Sequence, residues 1–175
     1  DILISSNLER LLYILSGGDD KKTAGYMAEL SKNGKYTVDA DILAKIKADF
    51  CAGCCDDEQT KTTIGEVYKE KNYLCDTHTA VAVKVYNEYR AATGDETATV
   101  IASTASPFKF TASVLSAVDA SLVKGEEYEM AKVLADATGV ECPVQLCGLE
   151  DRAVRFSTVI EKSEMQAAVY NMLGI

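Results

Sequence analysis

Hydrophobic residues recur along most of this chain at the three- and four-residue spacing typical of helices that bury one face. Glycines and polar breaks separate these periods, and an acidic or hydroxyl residue often stands at the start of one. At the first helix, Ser6 and Glu9 have the spacing of a capping box. The pattern predicts helices over residues 6–15, 19–33, 39–50, 58–71, 78–92, 110–122, 126–137 and 163–173.

Short apolar or β-branched runs lie between the predicted helices. Ile2–Ile4, Asn72–Cys75 and Ala98–Ala102 are predicted strands, Tyr36–Val38 is β-prone, and Val154–Val159 is a short apolar stretch. Alternation of helices with short strands is typical of α/β domains. The expected fold class is therefore α/β, with three layers in which helices flank a mainly parallel sheet.

Length and charge narrow the possible classes of partner. The chain has 175 residues, enough for one compact domain, and a formal net charge of −9. An acidic surface disfavours nucleic acid and anionic membranes as partners. No apolar run approaches the roughly 20 residues of a membrane-spanning helix, and no signal peptide is recognisable. The first residue is Asp1 rather than Met, which suggests a piece of a longer polypeptide.

The six cysteines raise the question of a metal site or disulfides. Cys51, Cys54 and Cys55 are clustered, but the chain has a single histidine and no second tight cysteine pair. A structural zinc site needs such a pair or histidines at ligand spacing. We therefore predict free thiols and no metal, which suits a reducing compartment and hence the cytoplasm.

A cluster of small hydroxyl residues follows the predicted strand 98–102. Ser103, Thr104 and Ser106 precede Pro107, and a helical period begins at Phe110. Ligands of open α/β sheets bind at the carboxyl ends of strands, where short hydroxyls can meet a polar atom. By residue type alone, a hydroxyl-rich turn without a ligand is the alternative explanation.

Three phrases together resemble the C-terminal part of the threonine synthase family. They are DILISSNLER at residues 1–10, DTHTA at 76–80 and STASPFKF at 103–110. Their order is the family's order, and the resemblance extends over most of the chain. It implies the tryptophan-synthase-β fold type, pyridoxal 5′-phosphate (PLP) as cofactor, and conversion of O-phospho-L-homoserine and water to L-threonine and phosphate.

The resemblance also implies site residues. The family pattern places Thr104 against the pyridine nitrogen of PLP, with Ser103 beside it. Asp76 and His78 are candidates for contact with the cofactor, although capping the following helix explains them equally well. The candidate substrate-binding residues are Ser6, Asn7, Arg10, Ser106 and Lys109. For Arg10 and Ser6 the alternatives are a solvated helix face and a helix cap.

Two family motifs are missing from the sequence. Neither the S-F-K-D phrase, which carries the PLP-binding lysine, nor the G-N-F-G-N phosphate loop is present, and Lys109 lies in a different motif. The resemblance therefore implies no catalytic residue here, and we expect this chain alone neither to bind PLP nor to act without the remainder of its polypeptide. Two alternatives stay open: another PLP-dependent lyase or dehydratase of the same fold type, and a non-catalytic threonine-synthase-like ligand-binding protein.

Overall fold

The structure, a computed structural model, describes residues 4–146 and 148–175. The chain divides into two compact units, Asp1–Cys54 and Cys55–Ile175. The helices of the first unit are α1 (Ser6–Leu15), α2 (Asp20–Asn33) and α3 (Ala40–Asp49). Each of them confirms a helix predicted from the hydrophobic period, to within one or two residues at its ends.

The second unit contains five α-helices and three single-turn 3₁₀ helices in its described residues. The α-helices are α4 (Asp57–Lys71), α5 (Thr77–Thr93), α6 (Thr111–Asp119), α7 (Glu127–Thr138) and α8 (Met165–Leu173). The 3₁₀ helices span Pro107–Lys109, Ala120–Leu122 and Lys162–Glu164.

The helix predicted over 110–122 is shorter than its hydrophobic period. Phe110 has a non-helical backbone (φ −134°, ψ 41°), so α6 begins only at Thr111. At the other end, the Asp119 carboxylate accepts a hydrogen bond from the Ser121 amide at 2.9 Å and caps a 3₁₀ turn. Local side-chain bonds of this kind compete with helix continuation.

The predicted α/β class is wrong: the described residues contain helices and no strand, hence no parallel sheet. Residues 36–38, 72–75, 98–102 and 154–159 carry no ladder, and most of Ile2–Ile4 lies outside the described residues. A strand exists only where a second segment accepts its backbone hydrogen bonds. Val100 and Val159 are each 94% exposed. These residues favour an extended backbone, but no other described segment packs or pairs with them.

Two predicted helix caps differ in detail. The cap of α1 is Ser5 rather than Ser6, because Ser5 Oγ accepts from the Leu8 amide at 3.2 Å. Asp39 precedes α3 as predicted, but its side chain makes no cap hydrogen bond. Instead it accepts from Lys22 Nζ at 2.6 Å, and this ammonium holds the pKa of the Asp39 carboxyl below its usual value.

Each unit has its own core. In the first unit, Leu12, Tyr26 and Ile42 are buried together. In the second unit, α4 approaches α6 closely: a Cβ on Gly65 would lie 2.9 Å from the Ala117 carbonyl oxygen. The buried residues of the second core are Ile64, Leu74, Cys75, Ala80, Phe108, Val114, Leu115, Met130 and Leu134.

Candidate functional site

The start of α5 is organised by one buried carboxylate. Asp76 is fully buried and occupies the N-cap position, where an acidic side chain satisfies amides that have no partner within the helix. Its Oδ1 accepts from the His78 amide at 2.8 Å and from the Thr79 amide at 3.3 Å. Its Oδ2 accepts from the Thr79 hydroxyl. The predicted capping role of Asp76 is thus confirmed.

His78 lies at the surface beside this cap. Its side chain is 62% exposed, with Nδ1 3.3 Å from Asp76 Oδ1. The centroid of the imidazole is 5.0 Å from that of the Phe110 ring, and the two planes are tilted by 52°. A carboxylate against one ring nitrogen orients an imidazole and leaves the other nitrogen for a ligand. A ligand approaching this face would therefore meet His78 before the buried Asp76.

Ser103 is joined to the same cluster by two hydrogen bonds. Its Oγ lies 3.0 Å from the Tyr73 hydroxyl and 3.0 Å from Thr79 Oγ1. A hydroxyl carries one proton, and a carboxylate can only accept. Ser103 Oγ accepts from the Tyr73 hydroxyl and from the Thr79 hydroxyl, whose proton is shared with Asp76 Oδ2. Both lone pairs of the Ser103 oxygen are therefore used within the protein.

The neighbouring hydroxyls are used differently. Ser106 Oγ accepts from the Phe108 amide at 3.3 Å and caps the 3₁₀ turn Pro107–Lys109. Thr104 is exposed, and within the described residues its hydroxyl makes no hydrogen bond. Lys109 is also exposed. Among Ser103, Thr104 and Ser106, Thr104 is the residue whose hydroxyl neither donates nor accepts a hydrogen bond within the described residues.

The other candidate residues belong to the first unit. Ser6 is the first residue of α1 and is exposed, and Arg10 donates to Asn7 Oδ1 within the same helix. Arg10 lines a shallow groove of about 290 Å³ together with Glu9 and Asp20. Two carboxylates beside a single guanidinium make this groove a poor binding place for phosphate, since like charges repel.

The family follows from a comparison over half of the chain. The family model described as "Threonine synthase, C-terminal" matches residues 79–169, which include Ser103, Thr104 and Ser106. The chain belongs to the threonine synthase family.

Individual threonine synthases give the same result. That of Saccharomyces cerevisiae is 38% identical, in a match that covers 67% of this chain and 26% of the relative. A crystal structure of threonine synthase from yeast superposes with a TM-score of 0.64 at 28% identity, covering 99% of this chain and 35% of that one. A PLP-bound threonine synthase from Brucella melitensis gives 0.61 at 30% identity, covering 96% and 32%. The chain thus spans about a quarter to a third of the length of these family members.

Sequence reasoning did not single out Tyr73 or Thr79 at this site. The Thr79 bond to Asp76 is local, and a threonine three residues after an acidic cap is a signal that could have found it. The Tyr73 bond to Ser103 joins residues 30 positions apart, and no motif in the sequence predicts it.

The cysteines differ in exposure, and this predicts their reactivity. Cys51, Cys54, Cys55 and Cys75 are free thiols, and within the described residues no group of three or more His, Cys, Asp or Glu side chains is placed to hold a metal ion. Cys51 and Cys54 are exposed, whereas burial raises the pKa of the Cys75 thiol to about 11. The thiolate is the reactive species.

At pH 8, iodoacetamide should therefore alkylate Cys51 and Cys54 long before Cys75, and raising the pH toward 11 should accelerate labelling of Cys75. Peptide mass spectrometry of timed samples measures the order, and a urea-unfolded sample serves as the control. Labelling of Cys75 in the native protein as fast as in the unfolded one would contradict its burial.

Proposed function

We propose that this chain is the C-terminal part of a threonine synthase that converts O-phospho-L-homoserine and water to L-threonine and phosphate. Membership in the family supports the activity, and the PLP-bound relative from Brucella melitensis supports the cofactor. The observation that carries the proposal is the unpaired, exposed Thr104 hydroxyl between two hydroxyls that the protein already uses.

The residues around Thr104 fit the pyridine edge of PLP. When bound, PLP supplies an electron sink for bonds at the α-carbon of an amino acid. With PLP bound, the Thr104 hydroxyl would donate a hydrogen bond to the ring nitrogen, and as a neutral donor it would not hold that nitrogen in its protonated form, as an aspartate would. His78 offers an exposed imidazole on the same cluster, with Asp76 Oδ1 and Thr77 Oγ1 both close to its Nδ1.

The remaining candidates are assigned to binding of the substrate. Ser106 and Lys109 follow Thr104 directly, and Lys109 is an exposed ammonium that can attract an anionic substrate. Ser6 and Asn7 present exposed polar groups at the start of α1. Arg10 is the weakest of the set, because Asn7 and the acidic groove already engage it.

The remainder of the polypeptide is the proposed partner of this chain. The sequence lacks the family's PLP-binding lysine motif and its phosphate loop, so both have to come from elsewhere. The end of the chain also exposes much apolar surface, and α8 buries no residue among those described. Its exposed large hydrophobic residues are Val154, Phe156, Val159, Ile160, Met165, Val169, Tyr170, Met172, Leu173 and Ile175. Exposed apolar side chains in this number suit a surface that contacts the rest of the polypeptide.

The cytoplasm is the proposed location. The free thiols of Cys51, Cys54, Cys55 and Cys75 suit a reducing compartment. Within the described part of the chain, no helix combines the length and the apolar character that crossing a membrane requires.

Replacing Thr104 with valine tests the proposal. In the protein produced from the complete reading frame, Thr104→Val should weaken PLP binding about ten- to a hundredfold, because loss of a hydrogen bond to a buried partner costs about 1–3 kcal/mol. The change keeps the shape of the side chain while removing its proton. The measurements are the PLP dissociation constant and the cofactor absorption spectrum, followed by phosphate release from O-phospho-L-homoserine.

For PLP binding, Ser103→Ala and Ser106→Ala are the matched controls, because the oxygens of both hydroxyls accept hydrogen bonds within the protein. They should weaken PLP binding less than Thr104→Val does. Normal PLP binding and an unchanged spectrum in Thr104→Val, combined with larger losses in the serine variants, would refute the assignment of Thr104. A complete protein that binds PLP but releases no phosphate from this substrate would refute the proposed activity.

A further inference from the structure

We infer that Tyr73 and Thr79 are positioning residues: they hold Ser103 from two sides and thereby fix the orientation of the adjacent Thr104 hydroxyl. The inference rests on the proposed function, since it concerns how Thr104 is presented to PLP. Neither residue need touch the cofactor, because each would act through Ser103.

The stretch around Thr104 needs such support. Residues 98–105 form neither helix nor strand, and Val100 within it is 94% exposed. Apart from a local bond from the Thr99 hydroxyl to the Thr97 carbonyl, the hydrogen bonds that tether this stretch to other described residues both end on Ser103. A segment with little buried apolar surface and few hydrogen bonds samples many conformations unless it is anchored. The orientation of Thr104 therefore depends on the residue immediately before it.

The two anchors themselves are held in place. Thr79 is only 5% exposed, lies in the first turn of α5 and donates to the buried Asp76 carboxylate. Tyr73 follows Asn72, which ends α4 with a left-handed backbone (φ 52°). Leu74 and Cys75, directly after Tyr73, are core residues. The anchors thus connect an irregular stretch to the ends of two packed helices.

Both anchors direct their hydroxyls at the same oxygen. Asp76 Oδ2 accepts from Thr79, and Ser103 Oγ accepts from both Thr79 and Tyr73. The two accepted bonds use both lone pairs of the Ser103 oxygen and so fix its direction. Removing either anchor would free the Ser103 side chain to rotate and to compete with Thr104 for the ligand.

A double-mutant cycle tests the inference in the protein produced from the complete reading frame. Tyr73→Phe removes one phenolic proton from a half-exposed side chain and should weaken PLP binding about three- to tenfold, the loss expected for one hydrogen bond. In the Thr104→Val background the same change should alter the dissociation constant by less than about twofold, because the two residues act as one unit. A general loss of structure would instead weaken PLP binding by the same factor in both backgrounds.

Thr79 provides a second arm and each arm has a matched control. Thr79→Val should weaken PLP binding as Tyr73→Phe does. Thr79→Ser keeps the hydroxyl and should bind PLP as the parent protein does. Tyr128→Phe is the control for Tyr73, since both tyrosines are 48% exposed, and Thr63→Val is the control for Thr79, since Thr63 is 3% exposed and bonded only within its own helix. Both controls should leave PLP binding unchanged.

The outcomes separate this inference from the proposed function. Equal losses for Tyr73→Phe in the two backgrounds, or no loss in the parent background, would overturn the positioning role while the effect of Thr104→Val still stands. An unchanged dissociation constant in Thr104→Val itself would overturn the proposed function, and the inference with it.

Discussion

Replacing Leu12 with alanine is expected to lower the free energy of unfolding of the first unit by about 2–5 kcal/mol, the usual cost of deleting a buried leucine side chain. Leu12 is fully buried on α1 and packs with Tyr26 and Ile42. A unit of this size buries little apolar surface and has little stability to lose. The change should therefore unfold helices α1–α3 at temperatures at which the parent chain keeps them.

Amide hydrogen exchange followed by mass spectrometry measures this effect, because it reports separately on peptides from residues 6–49. Leu8→Ala on the same helix is the control: Leu8 is 40% exposed, and surface changes usually stay within about 0.5 kcal/mol. Protection of α1–α3 in Leu12→Ala equal to that in Leu8→Ala would show that Leu12 is not a core residue.

The helices could be predicted because the signals that define them are local. A hydrophobic period and a cap lie within a few residues of each other, and this was enough for α2, where Asp19 caps the start and Gly34 ends the helix. The choice between Ser5 and Ser6 as the cap of α1 was beyond the pattern, since both side chains can accept the same kind of bond. Errors of one residue at helix ends are expected for this reason.

The strands could not be predicted in the same way, because a strand is a property of two segments. The composition of residues 98–102 favours an extended chain, but composition does not reveal whether another segment is available to pair with it. In the described residues none pairs with it. The apolar stretch 154–159 also lacks a pairing segment among the described residues, and its large apolar side chains are exposed.

At the candidate site, too, local features could be predicted from the sequence and long-range contacts could not. Asp76, His78 and the hydroxyls near residue 104 could be named from short phrases, because a cap and a hydroxyl-rich segment are local features. The role of Ser103 could not, since it depends on Tyr73, which lies 30 residues earlier in the chain. This long-range contact makes Ser103 a structural residue, whereas Ser106 is a structural residue through its local bond to the Phe108 amide.

Asp76 is the residue on which this cluster depends, and Asp76→Ala is expected to destabilise the second unit by about 2–4 kcal/mol. Loss of a helix N-cap costs about 0.5–2 kcal/mol, and a buried donor left without its acceptor adds about 1–3 kcal/mol. Both apply here, because Asp76 caps α5 through two amides and is the acceptor of the buried Thr79 hydroxyl.

Asp56→Ala is the matched control for Asp76→Ala. Asp56 caps α4 by accepting from the Gln59 amide at 2.8 Å, but it is exposed, so its loss should cost only the cap contribution of about 1 kcal/mol. Urea denaturation of the two variants, followed by circular dichroism and by exchange of the α5 amides, gives the difference directly. Equal destabilisation by the two substitutions would mean that Asp76 is merely a helix cap. A larger loss for Asp76→Ala would show that its carboxylate also supports the Thr79 and Ser103 hydroxyls beside Thr104.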